Sequence, residues 1–199
     1  MTGQYFDARP NSSDRRRFIK ATVFGRELDF ETSSGIFSPD GLDKATDFLL
    51  AEVPPPAGDK TVLDLGCGWG PIAVGIALAN PQAGVWAVDV NERARDLTAQ
   101  NAKRHRANVR VVGPDDVPGE LLFDEIWSNP PIRVGKDALH VVLATWLPRL
   151  TRDGVAHLVV GKNLGADTLQ RWLTDSGWPT ERVASSKGFR ILRARRHDA

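Results

Sequence analysis

The sequence predicts an α/β protein with a doubly wound, seven-stranded, mostly parallel sheet, an antiparallel last strand and a short β-hairpin at the N-terminal end. From residue 61 onward, short apolar runs alternate with helix-length segments, as in sheets whose parallel strands are joined by crossover helices. Before that point, the pattern alternates around Gly25 like an antiparallel hairpin. The last two strand patterns are separated only by Lys187-Gly188, which is too short for a crossover and therefore predicts an antiparallel strand.

Length and composition indicate one domain. The chain has 199 residues, of which 41% are hydrophobic and 26% charged, an ordinary globular composition. We expect residues 1–16 to form a mobile basic arm and residues 17–199 a single domain whose hairpin spans 17–37. The start has no apolar core after its basic residues, so no signal peptide is expected. A single cysteine, Cys67, excludes an internal disulfide framework and a multi-cysteine zinc site. We predict no metal site and a cytoplasmic protein.

The charge is unevenly distributed, although the net charge is only +1. Residues 1–20 carry five Lys/Arg and two Asp, and residues 187–199 carry five Lys/Arg and one Asp, which leaves the span between them acidic. Such ends are often solubilising charge runs. They would instead form a phosphate-contacting patch if both ends met in space. The sequence leaves both interpretations open.

The elements follow in order along the chain. After the hairpin, residues 38–53 change to a helical period, with Ser38 or Asp40 as the expected cap and the proline-rich segment 54–60 as the terminator. The apolar stripe of this helix is expected to comprise Leu42, Ala45, Phe48 and Leu49. Further helices are predicted at 70–80, 91–106 (capped by Asn91), 135–150 and 165–177. Strands are predicted at 61–66, 83–90, 108–113, 121–129, 154–162, 180–186 and 188–196.

The segment "VLDLGCGWGP" places Gly66, Gly68 and Gly70 between the first parallel strand and a helix. Glycines there let the backbone turn tightly and approach a ligand closely. Asp64 lies two residues before the first glycine, and Asp89 ends the next strand, nineteen residues after Gly70. An acid at the end of that strand can accept both hydroxyls of an adenosine ribose. The pattern therefore predicts a nucleoside-containing ligand.

The kind of ligand follows from two details of the loop. A dinucleotide site has the pattern G-x-G-x-x-G, but Pro71 stands where the last glycine would fall. The carboxylate of Asp64 would repel a pyrophosphate and would suit a cationic group such as the amino group of a methionine moiety. Cys67 is interpreted as a small loop residue, because no histidine lies close in sequence to activate a thiol nucleophile.

This loop resembles the motif of class I S-adenosylmethionine-dependent methyltransferases, whose fold is a Rossmann-like sheet. The resemblance implies S-adenosylmethionine as the cofactor. It implies that Asp64 and the backbone of the loop hold the methionyl part and that Asp89 holds the ribose. Asp115 or Asp116 would stand near the adenine, unless the two form an ordinary polar turn. The predicted cofactor-binding residues are thus Asp64, Gly66, Cys67, Gly68, Asp89, Val90, Asp115, Asp116, Asn129 and Phe37.

The segment "SNPPI", at the end of the fourth parallel strand, is similar to the (N/D/S)-P-P-(Y/F/W) motif of amino-methyltransferases. Open α/β sheets bind ligands at the carboxyl ends of their strands. The side-chain oxygen of Asn129 and the backbone carbonyl of Pro130 could accept the two hydrogens of an acceptor amino group, with Pro130 and Pro131 fixing the backbone. These three are the predicted catalytic residues. Ile132 replaces the aromatic residue of the motif, so it offers an apolar face but no ring to stack on a base.

Three segments together, "GIFSPDGLDKAT", "LDLGCGWGPIAV" and "SNPPIRVGKDALH", resemble the small-methyltransferase domain of the RsmC-like ribosomal RNA guanine-N2 methyltransferases, in a single-domain form. The resemblance covers about residues 18–195. It implies methylation of the exocyclic amino group of a guanine in RNA, with 16S ribosomal RNA or a ribosomal subunit as partner. The implied substrate-binding residues are Phe37, Ile132, Arg133 and Lys136. The alternatives are a core position for Phe37 and a solvent-facing loop for Arg133 and Lys136.

Other functions remain as alternatives at this stage. Enzymes that methylate a glutamine amide in proteins also use Asn-Pro-Pro, with Tyr as the usual next residue. A nucleic-acid-binding relative that has lost catalysis and a small-molecule methyltransferase are the other two. The oligomeric state, monomer or homodimer, is open.

Overall fold

The computed structural model describes residues 14–130 and 135–196. The predicted hairpin is a separate two-stranded antiparallel sheet, in which β1 (Arg16–Val23) pairs with β2 (Arg26–Ser33). Phe24 and Gly25 form the turn, and both have positive φ, as a tight hairpin turn of this length requires. Most of the predicted arm lies outside the described residues, and its last residue, Arg16, already belongs to β1.

The remaining seven strands form one sheet in the order β5-β4-β3-β6-β7-β9-β8. Strand β9 runs antiparallel to both of its neighbours, and the other pairs are parallel, so the predicted fold class is confirmed. The strands are β3 (Thr61–Leu65), β4 (Gly84–Val88), β5 (Val109–Val112), β6 (Phe123–Ser128), β7 (Leu150–Gly161), β8 (Thr180–Ser185) and β9 (Phe189–Arg195). The helices are α1 (Lys44–Glu52), α2 (Pro71–Ala79), α3 (Glu92–His105), α4 (Lys136–Trp146) and α5 (Ala166–Asp175).

Apolar layers cover both faces of the sheet. The hairpin, α1, α2 and α3 share one hydrophobic cluster with the sheet, and α4 and α5 share the other. Side chains alternate between the two faces along β3, so Val62 belongs to the first cluster and Leu63 to the second. Such two-sided burial is typical of parallel strands with crossover helices. In the described part of the chain, no helix is long and apolar enough to cross a membrane.

Helix α1 begins later than predicted. Its N-cap is Asp43, whose carboxylate accepts hydrogen bonds from the backbone N–H groups of Ala45 and Thr46 at 2.9 and 3.3 Å. The predicted caps, Ser38 and Asp40, are both wrong. Ser38 has a φ of 48° within the preceding turn, and the carboxylate of Asp40 pairs with Arg17. The buried positions of the helix are Ala45, Thr46, Leu49 and Leu50, while Leu42 precedes the helix and Phe48 is only partly buried.

The boundary after α4 also differs from the prediction. The helix ends at Trp146, a single 3-10 turn follows, and β7 already begins at Leu150, whereas the sequence predicted a helix to 150 and a strand from 154. Pro148 cannot donate a backbone hydrogen bond, which favours an early end of the helix. The early start of β7 is stabilised by pairing of Leu150 with Phe123.

The hairpin is fixed against the helices that carry the glycine loop. The buried side chain of Asn101, on α3, accepts from the N–H of Glu31 at 2.7 Å and donates to its carbonyl at 2.9 Å, which satisfies that backbone as a paired strand would. The same amide donates to the carbonyl of Trp69 at 2.8 Å. At Gly75 of α2, a Cβ atom would overlap Val23 of the hairpin, so only glycine allows this approach. The hairpin is thereby held against α2, α3 and the glycine loop, to which Trp69 belongs.

The basic residues near both ends are engaged by nearby acids. Arg16 contacts Asp96 at 2.6 Å, and Arg195 contacts Glu181 at 3.3 Å. The two acids belong to different elements, α3 and β8, so these contacts do not join the two ends of the chain. For the described residues, the contacts fit the interpretation of solvated, locally paired charges. Exposed pairs of this kind contribute little to stability.

Candidate active site

The glycine loop connects β3 to α2 at the carboxyl edge of the sheet. Gly66 and Gly68 have φ values of +80° and +59°, a region that residues with a side chain rarely adopt. A Cβ atom at either position would meet nothing within 4 Å, so the backbone there is open to a ligand. The N–H groups of Gly66 and Cys67 donate to the carbonyl of Val88 at 2.8 and 3.1 Å, which ties the loop to the end of β4.

Asp64 is buried beside the loop, at the fourth position of β3. One carboxylate oxygen, Oδ2, accepts from the N–H of Ala73 in the first turn of α2 at 3.0 Å. The other, Oδ1, is buried without a hydrogen-bond partner among the described residues. Burial raises the pKa of this carboxyl to about 8. A buried acid with one unpaired oxygen favours a nearby cation, which would lower that pKa again.

The raised pKa of Asp64 predicts a pH-dependent stability. The carboxyl has an ordinary pKa of 3.8 when unfolded and about 8 when folded. Between these values the folded state holds the extra proton, so this group makes the free energy of unfolding fall as the pH rises from about 4 to about 8. The Asp64→Asn variant keeps a hydrogen-bond acceptor for the N–H of Ala73 and removes the titrating carboxyl group. We expect urea unfolding to show the wild type losing stability relative to the variant from about pH 5 to about pH 8. Parallel pH curves for the two proteins would contradict the assignment.

Asp89, at the end of β4, holds the loop and the next helix together. Its Oδ2 accepts from the N–H of Gly68 at 3.0 Å, and its Oδ1 accepts from the N–H of Asn91, the N-cap of α3, at 2.9 Å. Burial raises the pKa of this carboxyl, and the backbone hydrogen bonds oppose that shift. The next residue, Val90, is 37% exposed. The predicted cap at Asn91 is confirmed.

Two cavities meet at Gly66 on this edge of the sheet. Both cavities are partly open to solvent. The first is lined by both polar and apolar groups, which include Phe37, Asp43, Thr46, Gly68, Trp69 and Asn129. The second is mostly apolar and is lined by residues that include Val88, Asp89, Val90, Pro130, Leu143 and Trp146. The second cavity therefore suits a flat, largely apolar group such as an adenine ring, and the first, which meets it at Gly66, offers polar contacts as well.

Asn129 follows β6 and lines the first cavity, while the adjacent Pro130 lines the second. The hydroxyl of Ser128 donates to the carbonyl of Leu65 at 2.7 Å, which fixes the end of β6 beside the end of β3. The side-chain Nδ2 of Asn129 donates to Asp43 Oδ1 at 2.9 Å and to Thr46 Oγ1 at 3.0 Å. The amide thus belongs to the lining of the first cavity and is adjacent in sequence to a residue of the second.

The other predicted site residues lie at different places. Asp115 and Asp116 are exposed in a 3-10 turn after β5, where Asp116 accepts from the N–H of Gly113 at 3.3 Å. Their neighbour Pro114 lines the second cavity. Lys136 is exposed at the start of α4. Pro131, Ile132 and Arg133 lie outside the described residues. Phe37 is 40% exposed at the first cavity, so it is not a core residue.

Cys67 is buried at the first cavity, and its sulfur accepts from the hydroxyl of Thr98 at 3.4 Å. Burial raises the pKa of the thiol well above its ordinary value. A thiol that remains protonated is a poor nucleophile. These properties agree with the interpretation of Cys67 as a small loop residue.

Sequence reasoning missed several residues that line the cavities. The sequence did not indicate a role for Thr46, because a threonine in a helical pattern is usually a surface residue. Trp69 donates its indole N–H to the carbonyl of Ser38 at 3.2 Å, which joins the glycine loop to the segment before α1. The indole N–H of a buried tryptophan usually finds a partner, but the sequence does not indicate which one. Trp146 borders the second cavity because of how α4 packs, and no local pattern predicts that.

Comparison with known proteins gives a family and several relatives. The family model for the methyltransferase small domain matches residues 27–193. The uncharacterized protein YbxB of Bacillus subtilis is 28% identical over 200 residues, covering 98% of this chain and all of that protein. Ribosomal RNA small subunit methyltransferase C of Cronobacter sakazakii is 33% identical over 141 residues, covering 69% of this chain and 39% of that protein. Ribosomal RNA large subunit methyltransferase G of Streptomyces avermitilis is 32% identical over 169 residues, covering 81% of this chain.

This chain spans less than half the length of the methyltransferases C and G, at 39% and 43%. Among solved structures, the 16S rRNA N2 methyltransferase RsmC of T. thermophilus, in complex with AdoMet and guanosine, superposes with a TM-score of 0.81 at 24% identity. The match covers 94% of this chain and 52% of that one. A methyltransferase from Pyrococcus furiosus matches with a TM-score of 0.66 at 21% identity, over 81% of this chain and 88% of that one. These likenesses show the fold.

Proposed function

The chain belongs to the methyltransferase small domain family, and from that membership we propose that it transfers a methyl group to the exocyclic amino group of a guanine in RNA, with 16S ribosomal RNA as the first substrate to test. The family that the sequence predicted is confirmed, and with it S-adenosylmethionine as the cofactor. A cytoplasmic location, where ribosomal RNA is made and assembled, goes with this proposal.

The observation that carries the proposal is the position of Asn129. Its side-chain amide is held in the lining of the first cavity by Asp43 and Thr46, and Pro130, which follows it directly, lines the second. An acceptor group that enters the first cavity beside Phe37 would meet this amide. The amide and the Pro130 carbonyl are hydrogen-bond acceptors for an –NH2 group, which carries two hydrogens to donate.

The chemistry explains why acceptors rather than a strong base stand here. S-adenosylmethionine supplies an electrophilic methyl carbon bound to a sulfonium. The amino group of guanine is planar, and its lone pair is delocalised into the ring. Asn129 and Pro130 would accept hydrogen bonds from its two hydrogens and rotate the amino group, so that its lone pair is no longer conjugated with the ring. The same two acceptors would stabilise the positive charge that develops on nitrogen. The nitrogen would take the methyl carbon as the bond from that carbon to sulfur breaks, which leaves S-adenosylhomocysteine. The methylated nitrogen is then more acidic and would release its proton to water.

The roles of the cofactor-side residues follow from their environments. The unpaired, buried oxygen of Asp64 suits the cationic methionyl end, at the side of the loop where α2 begins. Asp89 is at the rim of the apolar second cavity, where its carboxylate can reach hydroxyls of a ribose. Val90 and Leu143 would contact a flat adenine ring in the same cavity. Asp115 and Asp116 are assigned only an outer position near that ring.

The choice of RNA rests on the relatives and on the entrance of the first cavity. The similar methyltransferases C and G are named for ribosomal RNA of the small and large subunit. Phe37 presents an exposed ring at the first cavity, and aromatic rings stack on unpaired bases. Lys136, with Arg133 from the same segment, is assigned to phosphate contacts, because positive side chains supply most of the affinity for nucleic acid.

The proposal is tested by transfer of labelled methyl groups. The protein is incubated with radiolabelled S-adenosylmethionine and either total RNA, free 16S RNA or small ribosomal subunits from a strain that lacks the gene. The RNA is then digested, and the labelled nucleoside is identified by chromatography and mass spectrometry. We expect N2-methylguanosine with wild-type protein and almost none with Asn129→Ala.

The other outcomes decide between the alternatives. Label on a different nucleoside would keep the enzyme class and refute guanine-N2 specificity. Label that appears only in protein would favour glutamine-amide methylation. RNA binding without transfer to any acceptor, in a protein that still binds the cofactor, would indicate a relative that has lost catalysis.

A further inference from the structure

We infer that Asp43 and Thr46 of α1 are positioning residues that lock the side-chain amide of Asn129 in one orientation, so that its oxygen is presented to the methyl acceptor. This inference deepens the proposed function and rests on it for its kinetic part. It assigns a role in the reaction to the N-terminal turn of a helix that lies far from the cofactor loop in sequence.

The identity of the partner groups fixes the orientation of the amide. A carboxylate accepts hydrogen bonds and does not donate them, so the atom of Asn129 that lies 2.9 Å from Asp43 Oδ1 must be the nitrogen. The second hydrogen of that nitrogen points to Thr46 Oγ1 at 3.0 Å. Both hydrogens of the amide are therefore used. Rotation of the amide by a half-turn would place two oxygens against each other and is disfavoured.

The remaining atom of the amide is the acceptor that the proposed reaction needs. Within residues 14–130 and 135–196, no hydrogen bond reaches Oδ1 of Asn129. This oxygen lies on the opposite side of the amide from Asp43 and Thr46, in a residue that lines the first cavity. A free asparagine side chain would sample both orientations, and only one of them offers an acceptor. Because the amide is locked before the substrate arrives, the entropy of fixing its orientation is not lost on reaching the transition state.

The two anchors are themselves held rigidly. Asp43 Oδ1 also accepts from the N–H groups of Ala45 and Thr46 as the N-cap of α1. Thr46 is 5% exposed and lies on the buried face of α1. Serine caps a helix about as well as aspartate, and valine has the shape of threonine without its hydroxyl. The additional bonds to Asn129 therefore distinguish aspartate and threonine from residues that would serve the helix alone.

The test uses variants that keep the helix and change only the anchors. Thr46→Val keeps the shape and removes the hydroxyl, Thr46→Ser restores it, and Asp43→Ser keeps a helix cap with a side chain too short to reach the amide. Each is made in the wild-type and the Asn129→Ala background. We expect kcat to fall about fivefold for Thr46→Val and about tenfold for Asp43→Ser, with unchanged cofactor affinity, and Thr46→Ser to regain most of the rate. In the Asn129→Ala background neither variant should lower the residual rate further.

A second readout does not depend on activity. In 15N-labelled protein, the side-chain amide signals of Asn129 are identified by their absence in Asn129→Ala. We expect slow hydrogen exchange of this amide in the wild type and fast exchange in Thr46→Val and Asp43→Ser. Fast exchange in the wild type would overturn the inference, as would an equal loss of kcat in both backgrounds. A protected amide in a protein that methylates no RNA would refute the proposed substrate and still support the anchor.

Discussion

Replacing Asn129 with alanine is expected to lower the rate of methyl transfer about 100-fold, comparable with the loss of one positioned hydrogen-bond partner of a transition state. The side chain lines the first cavity, and its carbonyl oxygen is the acceptor proposed for one amino hydrogen. Cofactor affinity should stay nearly unchanged, because the loop of Gly66 and Gly68 is held by Val88 and Asp89 rather than by Asn129. Single-turnover transfer and calorimetric titration with the cofactor measure the two quantities separately.

The control for Asn129→Ala is Asn108→Ala. Asn108 is exposed and precedes β5, at the opposite edge of the sheet from the cavities. The same chemical change there should leave both the rate and the affinity intact. A normal transfer rate in Asn129→Ala would refute the amino-presenting role. A joint loss of rate and cofactor affinity would show that Asn129 supports the fold of the site instead.

The fold was predictable because its signals are local and repeated. Apolar runs such as those of β3 and β4 alternate with helices of ordinary length, and Asn91 is a good capping residue directly before α3. The short Lys187-Gly188 turn permits only an antiparallel pair, and the structure has that pair. The edge of the sheet that carries the site follows from the same pattern, because loops after parallel strands lie on one side.

The details of the site depended on contacts that no local pattern contains. Ser38, Asp40 and Asp43 are all good caps, and the choice among them is made by tertiary contacts. Arg17 binds Asp40, and Asn129, more than eighty residues further along the chain, binds Asp43. Asp115 and Asp116 show the same limit. Their place after β5 was predicted, but the direction of their side chains depends on a turn that Asp116 itself closes.

Asp43 and Trp69 show that the segment before α1 is part of the site. Asp43 binds the residue proposed to present the acceptor, and the indole of Trp69, in the glycine loop, binds the backbone of Ser38. Both contacts join the N-terminal part of the chain to loops that follow strands of the sheet. The "IFSPDGLD" segment is thereby linked to the cofactor loop on one side and to Asn129 on the other. This arrangement gives a physical reason for three separate sequence segments to form one site.

Asp89→Ala is expected to weaken cofactor binding about 100-fold, the effect of losing hydrogen bonds between a carboxylate and two ribose hydroxyls. The carboxylate also accepts hydrogen bonds from the backbone N–H groups of Gly68 and Asn91, so its removal also releases the glycine loop. Calorimetric titration with S-adenosylhomocysteine measures the affinity. Asp175→Ala, an exposed change at the end of α5, is the matched control and should bind like the wild type.

A second ligand separates the two roles of Asp89. An analogue of S-adenosylhomocysteine without the 2′ and 3′ hydroxyls removes the proposed partners and leaves the loop untouched. The wild type should bind this analogue much more weakly than the parent ligand. If Asp89 holds the ribose, the alanine variant should bind both ligands nearly equally, because the interaction is already lost. Unchanged affinity of the variant for the parent ligand would remove Asp89 from the site. A variant that still discriminates between the two ligands would restrict its role to bracing Gly68 and the cap of α3.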